Sequence, residues 1–540
     1  MHIWGRRAVR AAPVLALILT VALAIVVRLQ FASTGSASLD ADEATTGMMV
    51  RTILSGQNGY VFFAGQTYNG SAEQYLQAAA IWLFHLPQTP FALRLVQVAL
   101  SAGTVVAVYR LARLVTRGLW IPVVAALVFA VGPFWNVFFS TKSYGSYDST
   151  QLVAVLGVIC ALRATGFLVD AQREQSTTRV RWGWWFGLGL ACGLVVWLGL
   201  SGLEVLIAAI LWVLPWFFRS IRAVVATVVG ALIGSLPVTW WIVRHSWTLP
   251  SAGGPQPVTT IHQRFDILTS VVGRQFLGLV GSSESTPWPA VIQNSILVIG
   301  VVVVVIAVVL RVRGLAAVVT GRRSHRRAVD LVLLVFPVAI VIYLLSSHTW
   351  YSGSPRYLFI LYPFVAVSAA AVIGWIGSKR TVLSRRLPDF RPIVAVITAS
   401  ALVLTLGSTA IGTAQQAEPE GHTTDAEFVS ALHGIDKAGI HDLYADYWTA
   451  VPAQYFGANT DVTVAEWAPM ARFIGVRKQV DAAKAFSYMT SNRVLTSESQ
   501  QMPAALDAHH VTYRTLHFGT ITVFTDLKPA IRPDELGLVN

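Results

Sequence analysis

The chain reads as a polytopic α-helical membrane protein with a polar α/β domain at its C-terminal end. Three observations carry that expectation. Hydrophobic residues fill 54% of the 540 positions and charged residues only 12%, about half the charged share of a soluble domain. Mean hydropathy is +0.59. Apolar runs close to the ~20 residues that cross a hydrocarbon core recur as far as residue 412, and 413–540 contains none.

The runs lie near 12–32, 91–115, 119–138, 149–168, 183–200, 202–218, 223–243, 291–310, 328–346, 357–376 and 393–412. They predict about 11 transmembrane helices. Arg6, Arg7 and Arg10 precede the first run and Ser36-Ala37-Ser38 resembles a cleavage site. The stretch from Ala11 to Phe31 is nevertheless long for a signal peptide and reads as a retained helix. Gly199, Ser201 and Gly202 split 183–218 into a hairpin rather than one tilted helix.

The net charge of +13 sits in short basic clusters between apolar runs. That is the pattern of cytoplasmic loops against an anionic leaflet, and it argues against a nucleic-acid partner. Arg110, Arg113 and Arg117 fall on the same side as Arg219, Arg222, Arg311, Arg313, Arg322 and Arg323. The opposite loops hold Arg51, Lys142, Arg244, Arg264, Arg274 and Arg356. The bias predicts a multi-pass protein of the cytoplasmic (plasma) membrane, its N-terminus cytoplasmic and its C-terminal domain extracytoplasmic. Cys160 and Cys192 lie inside apolar runs and read as small hydrophobes, not as a disulfide or a metal pair.

The chain therefore divides into 1–412, a transmembrane domain with a long first outer loop at 33–90, and 413–540, a soluble domain. In the latter, helix-like stretches at 425–438 and 479–490 alternate with strand-like runs at 442–447, 461–466, 493–496, 511–517 and 520–525.

Acidic residues are scarce, so their placement is informative. The first outer loop carries Asp40, Asp42, Glu43 and Glu73 among Tyr60, Phe62, Phe63, Tyr68 and Tyr75. Asp42 and Glu43 open an amphipathic run, 44–54, that fits a helix lying in the membrane interface. Such a loop suits sugar transfer from a lipid carrier. A carboxylate takes the proton of an acceptor hydroxyl, aromatic faces such as Tyr68 stack on sugar, and a cation or divalent metal stabilises the leaving phosphate. Lys142, Arg264, Arg274 and Arg356 are the outer cations, and Tyr357 adds a hydrogen-bond donor beside Arg356.

The stretch Asp42-Glu43-Ala44, with Phe63-Ala64-Gly65-Gln66-Thr67-Tyr68-Asn69-Gly70-Ser71-Ala72-Glu73-Gln74-Tyr75-Leu76, resembles bacterial membrane glycosyltransferases of the GT-C fold. These include the protein O-mannosyltransferases and lipid A aminoarabinose transferases. The run from Gly187 to Leu200 with Trp197, the motif Pro355-Arg356-Tyr357-Leu358 and the motif Tyr444-Ala445-Asp446-Tyr447-Trp448 resemble later signatures of the group. The resemblance implies inverting transfer from a polyprenyl-phosphate sugar to a glycan, lipid or protein hydroxyl. It implies Asp42 as base or acceptor-positioning group, and Glu73 as a carboxylate holding a metal and the donor. Lys-Pro follows that Glu in the aminoarabinose transferases, whereas Gln74-Tyr75 stands here, so Lys142 or Arg356 takes over the phosphate. His262 is the further metal-ligand candidate. The alternatives are a transporter or flippase of a lipid-linked saccharide, and a GT-C-like scaffold without catalysis.

Overall fold

In the computed structural model, residues 2–33, 38–57, 59–167, 182–245, 259–278, 311–320, 326–346, 353–378, 391–416, 424–467, 472–492 and 497–537 are described, with scattered positions between 295 and 309. Among them, six helices are long and apolar enough to cross a membrane, or seven if the bent pair Ile221–Gly234 and Leu236–Arg244 forms one span. They are led by α1 (His2–Ala32), whose apolar part starts at Ala11. The predicted run 291–310 falls largely outside the described residues.

The segment after α1 is a packed subdomain, not a loose connection. It contains α2 (Ala41–Leu54), the hairpin β1 (Phe62–Phe63) and β2 (Gln66–Gly70), and α3 (Ala72–Phe84). Contrary to the interfacial-helix expectation, α2 buries Glu43, Ala44, Thr45 and Thr46 and packs against α3 and the C-terminal helix Tyr447–Phe456. Its small residues admit close neighbours: a Cβ on Gly47 would lie 2.3 Å from Tyr455 Cε2. Polar bonds complete that face. Arg51 Nη1 donates to Tyr455 O at 2.6 Å, Tyr455 Oη to Gln88 O at 2.8 Å, and Leu39 N–H to Asp425 Oδ1 at 3.1 Å.

The chain then crosses through α4 (Pro90–Val115), turns through the short α5 (Ile121–Ala130) and α6 (Phe134–Phe139), and returns in α7 (Tyr147–Thr165). The predicted hairpin at 183–218 is present. The first helix, α8 (Trp182–Leu198), stops before Gly199; a 3-10 turn spans Leu200–Gly202, and α9 (Leu203–Phe217) follows. Trp197 Nε1 donates to Val61 O at 2.7 Å, fastening the first-loop hairpin to the end of α8. Next, α10 (Ile221–Gly234) bends by 59° into α11 (Leu236–Arg244).

Glycines weld α8 to α10. A Cβ on Gly189 would lie 1.8 Å from Thr227 O, and one on Gly230 would lie 2.2 Å from Phe186 O. Gly193 and Gly234 repeat the contact one turn on, at 2.1 Å and 2.5 Å from facing carbonyls. Small residues at four-residue spacing let helix backbones meet in lipid, where apolar burial gives little drive for association.

In the C-terminal segment, Thr424 opens the helix Asp425–Lys437 through a capping box with Glu427. A five-stranded sheet follows in the order β4-β3-β5-β7-β6: β3 (Asp442–Ala445), β4 (Thr463–Glu466), β5 (Ser487–Ser491), β6 (Thr512–Phe518) and β7 (Ile521–Lys528). β3 pairs in parallel with β4 and β5, while β7 pairs antiparallel with β5 and β6. The expected helix at 479–490 is corrected: a helix covers Ile474–Ala482, and β5 begins at Ser487. The strand expected at 493–496 lies outside the described residues.

Candidate active site

The first turn of α2 holds the acidic residues, and its cap fixes their geometry. Asp40 is the N-cap: its Oδ1 accepts from Glu43 N–H at 3.0 Å. Asp40 Oδ2 accepts from Lys142 Nζ at 2.6 Å and from the Tyr144 hydroxyl. Burial works against the charged form of Asp40. The Lys142 ammonium and hydrogen bonds from Lys142 and Tyr144 outweigh it, holding the carboxyl below its ordinary range.

Glu43 points into the protein, 1% exposed. Arg94 grips it with two bonds, Nε to Oε1 at 2.8 Å and Nη2 to Oε2 at 2.5 Å. Lys142 Nζ lies 3.4 Å from Oε2, and Ser143 N–H donates to Oε1 at 3.1 Å. Glu43 and Lys142 are therefore partners in a buried ion network. Neither lines the cleft beside Asp42.

That cleft, of about 400 Å³ with its open mouth, is lined by Asp42, Phe63, Gln66, Tyr68, Phe139, Tyr144, Tyr147, Arg356 and Tyr357. It brings together Asp42, Phe63, Tyr68, Arg356 and Tyr357 of the residues singled out in the sequence. Asp42 Oδ1 accepts from the Tyr447 hydroxyl at 2.6 Å and lies 3.3 Å from Arg472 Nη2. Arg356 begins a 3-10 turn, Arg356–Leu361, and its Nε donates to Ser354 Oγ at 3.3 Å. Burial raises the Tyr68 phenol to about 12, with nearby Tyr357 adding to the rise and Arg472 opposing it. Tyr68 is therefore a neutral hydrogen-bonding group at physiological pH.

Glu73 takes another position. It sits at the N-terminus of α7, where Ser149 N–H and Oγ–H both donate to Oε1 at 2.7 Å and Gln97 Nε2 donates to Oε2 at 2.8 Å. Helix-terminal N–H groups favour its anionic form, but burial wins and raises the carboxyl to about 7. His262 is far more open, 84% exposed in its side chain and 2.8 Å from Asp266 Oδ2. Among the described residues no three His, Cys, Asp or Glu side chains gather into a metal-type group. Glu73 and His262, the two metal-ligand candidates of the sequence, therefore stand in different surroundings, one buried among Ser149 and Gln97 and the other open beside Asp266.

Sequence reasoning missed Tyr144 and Tyr147, although both follow closely on Lys142 in the run Lys142-Ser143-Tyr144-Gly145-Ser146-Tyr147. It also missed Arg472. The signal for Tyr447 was the aromatic motif at 444–448.

This architecture overlays ArnT from Cupriavidus metallidurans bound to undecaprenyl phosphate with a TM-score of 0.54, covering 97% of this chain and 98% of that one at 13% identity. The apo state of ArnT gives 0.56 at 14% identity over the same shares. The chain has the GT-C fold. A second GT-C structure, the Archaeoglobus fulgidus oligosaccharyltransferase in its apo form, aligns with a TM-score of 0.51 at 12% identity, over 92% of this chain and 71% of that one. No protein-family model and no curated protein matches the sequence, so the GT-C likeness is one of structure.

Proposed function

We propose that the protein is a membrane glycosyltransferase that moves a sugar from a polyprenyl-phosphate donor to an acceptor hydroxyl at the outer face of the cytoplasmic membrane. The observation that carries this reading is the cleft in which Asp42, Tyr68, Arg356 and Tyr357 meet. The fold shared with ArnT, whose structure holds undecaprenyl phosphate, supports the donor class.

In the proposed step, the acceptor oxygen attacks the anomeric carbon as its proton passes to the Asp42 carboxylate. The bond from that carbon to the phosphate oxygen breaks, and the electron pair leaves with the polyprenyl phosphate. A planar guanidinium suits the charge on that leaving group, which assigns it to Arg356, with Tyr357 and Tyr68 as neutral donors beside it. In-line attack gives inversion at the sugar. The acceptor is a glycan, lipid or protein hydroxyl.

The same reading takes 1–412 as the transmembrane domain with eleven spans and 413–540 as an extracytoplasmic domain. Its support is the arginine bias, which keeps the N-terminus in the cytoplasm.

Asp42→Asn tests the reading. In membranes supplied with a radiolabelled polyprenyl-phosphate sugar, the variant should lose transfer by about 10²-fold or more, the usual scale for a general base, at unchanged protein level. Turnover equal to wild type in Asp42→Asn would remove Asp42 from the mechanism.

A further inference from the structure

Two residues of the C-terminal domain converge on one oxygen of Asp42. The Tyr447 hydroxyl donates to Oδ1 at 2.6 Å, and Arg472 Nη2 approaches the same atom at 3.3 Å. Arg472 is itself held in place. Its guanidinium lies over the Tyr447 ring at 4.3 Å and the Phe63 ring at 5.4 Å, and Nη1 donates to Ala64 O at 3.3 Å. Its backbone N–H donates to Glu466 Oε1 at 2.9 Å, at the end of β4. Tyr447 is the first residue of its helix, whose N-cap Asp446 accepts from Thr449 N–H at 3.1 Å.

A carboxylate on the wall of an open cleft rotates unless something holds it, and a general base works only within hydrogen-bond reach of its proton. Both partners occupy Oδ1, which leaves Oδ2 as the oxygen for an acceptor proton. We propose that Tyr447 and Arg472 are positioning residues for Asp42, so that the transferase site is complete only with the C-terminal domain docked. This rests on the reading of Asp42 as the base.

The contact at Tyr447 can be removed almost alone. Tyr447→Phe keeps the ring under Arg472 and deletes the hydroxyl bonded to Asp42. Full-length protein in membranes is supplied in turn with tritiated undecaprenyl-phosphate arabinose and mannose, and the probe that wild type turns over is used for the variants. Tyr447→Phe should lower kcat by about tenfold, the scale of one hydrogen bond to a charged group, with donor KM and melting temperature unchanged. Arg472→Gln should lower kcat similarly, with partial recovery in Arg472→Lys. In an Asp42→Asn background, Tyr447→Phe should have no further effect, because the oxygen it positions no longer acts as a base.

Wild-type kcat in Tyr447→Phe, or an equal loss from it in the Asp42→Asn background, would overturn the proposal while leaving the base reading intact. Full activity in Asp42→Asn, or no transfer by wild type from either probe, would overturn the base reading instead.

Discussion

Arg356 and Lys142 are both outer-surface cations in the sequence, and the structure gives them different work. Lys142 is 4% exposed and spent on Asp40 and Glu43. Arg356 lines the cleft with Tyr68 and Tyr357. If Arg356 holds the donor phosphate, the planar fork matters and not merely the charge. Arg356→Lys should therefore raise the donor KM severalfold while the protein still inserts and accumulates. Normal donor use by Arg356→Lys would reduce Arg356 to an interfacial anchor. Asp42 and Arg356 were legible one by one, through scarce acids and scarce outer cations. Glu43 was not distinguishable from Asp42, because adjacent residues on a helix face different ways and only the tertiary fold shows that Arg94 waits behind one of them.

At the scale of elements, Glu73 joins α3 to α7 by capping the latter's first turn. Its folded pKa of about 7 stands above the ordinary 4.5, so between those values the folded chain keeps a proton that the unfolded chain has released. The carboxyl's contribution to stability is fully present below 4.5 and is lost as pH rises through 7. Glu73→Gln keeps an acceptor oxygen for Ser149 without the titration. The wild-type melting temperature should fall between about pH 5 and pH 8, and that of Glu73→Gln should fall less. Equal slopes would show that Glu73 does not titrate in this window. Apolar run length located the long helices at Ala11–Ala32, Pro90–Val115, Tyr147–Thr165, Ala328–Leu345 and Arg356–Trp375, whereas the run expected at 119–138 is two short helices, Ile121–Ala130 and Phe134–Phe139. Sequence periodicity misread 479–490 because β5 is buried on both faces. Tyr488 and Met489, each 0% exposed, enter different cores, and such a strand lacks the alternation that separates it from a helix.

Across the whole molecule, the subdomain after α1 and the C-terminal domain meet over α2, so the proposed site depends on both lying on one side of the membrane. A reporter fused after Ala414 should be active outside the cytoplasmic membrane, and one inserted after Arg323 should be active inside. The opposite result at either position would overturn the eleven-span map. The partnership of the two regions was hidden from the sequence, because Asp42 and Tyr447 are 405 positions apart and no local pattern links them.

The glycine weld between α8 and α10 limits how a long lipid could reach the cleft. Where carbonyls of one helix rest against the Cα atoms of the other, no slot remains for a prenyl tail, and that flank of the bundle is a closed wall. On the proposed reading, a carrier lipid enters past some other pair of helices.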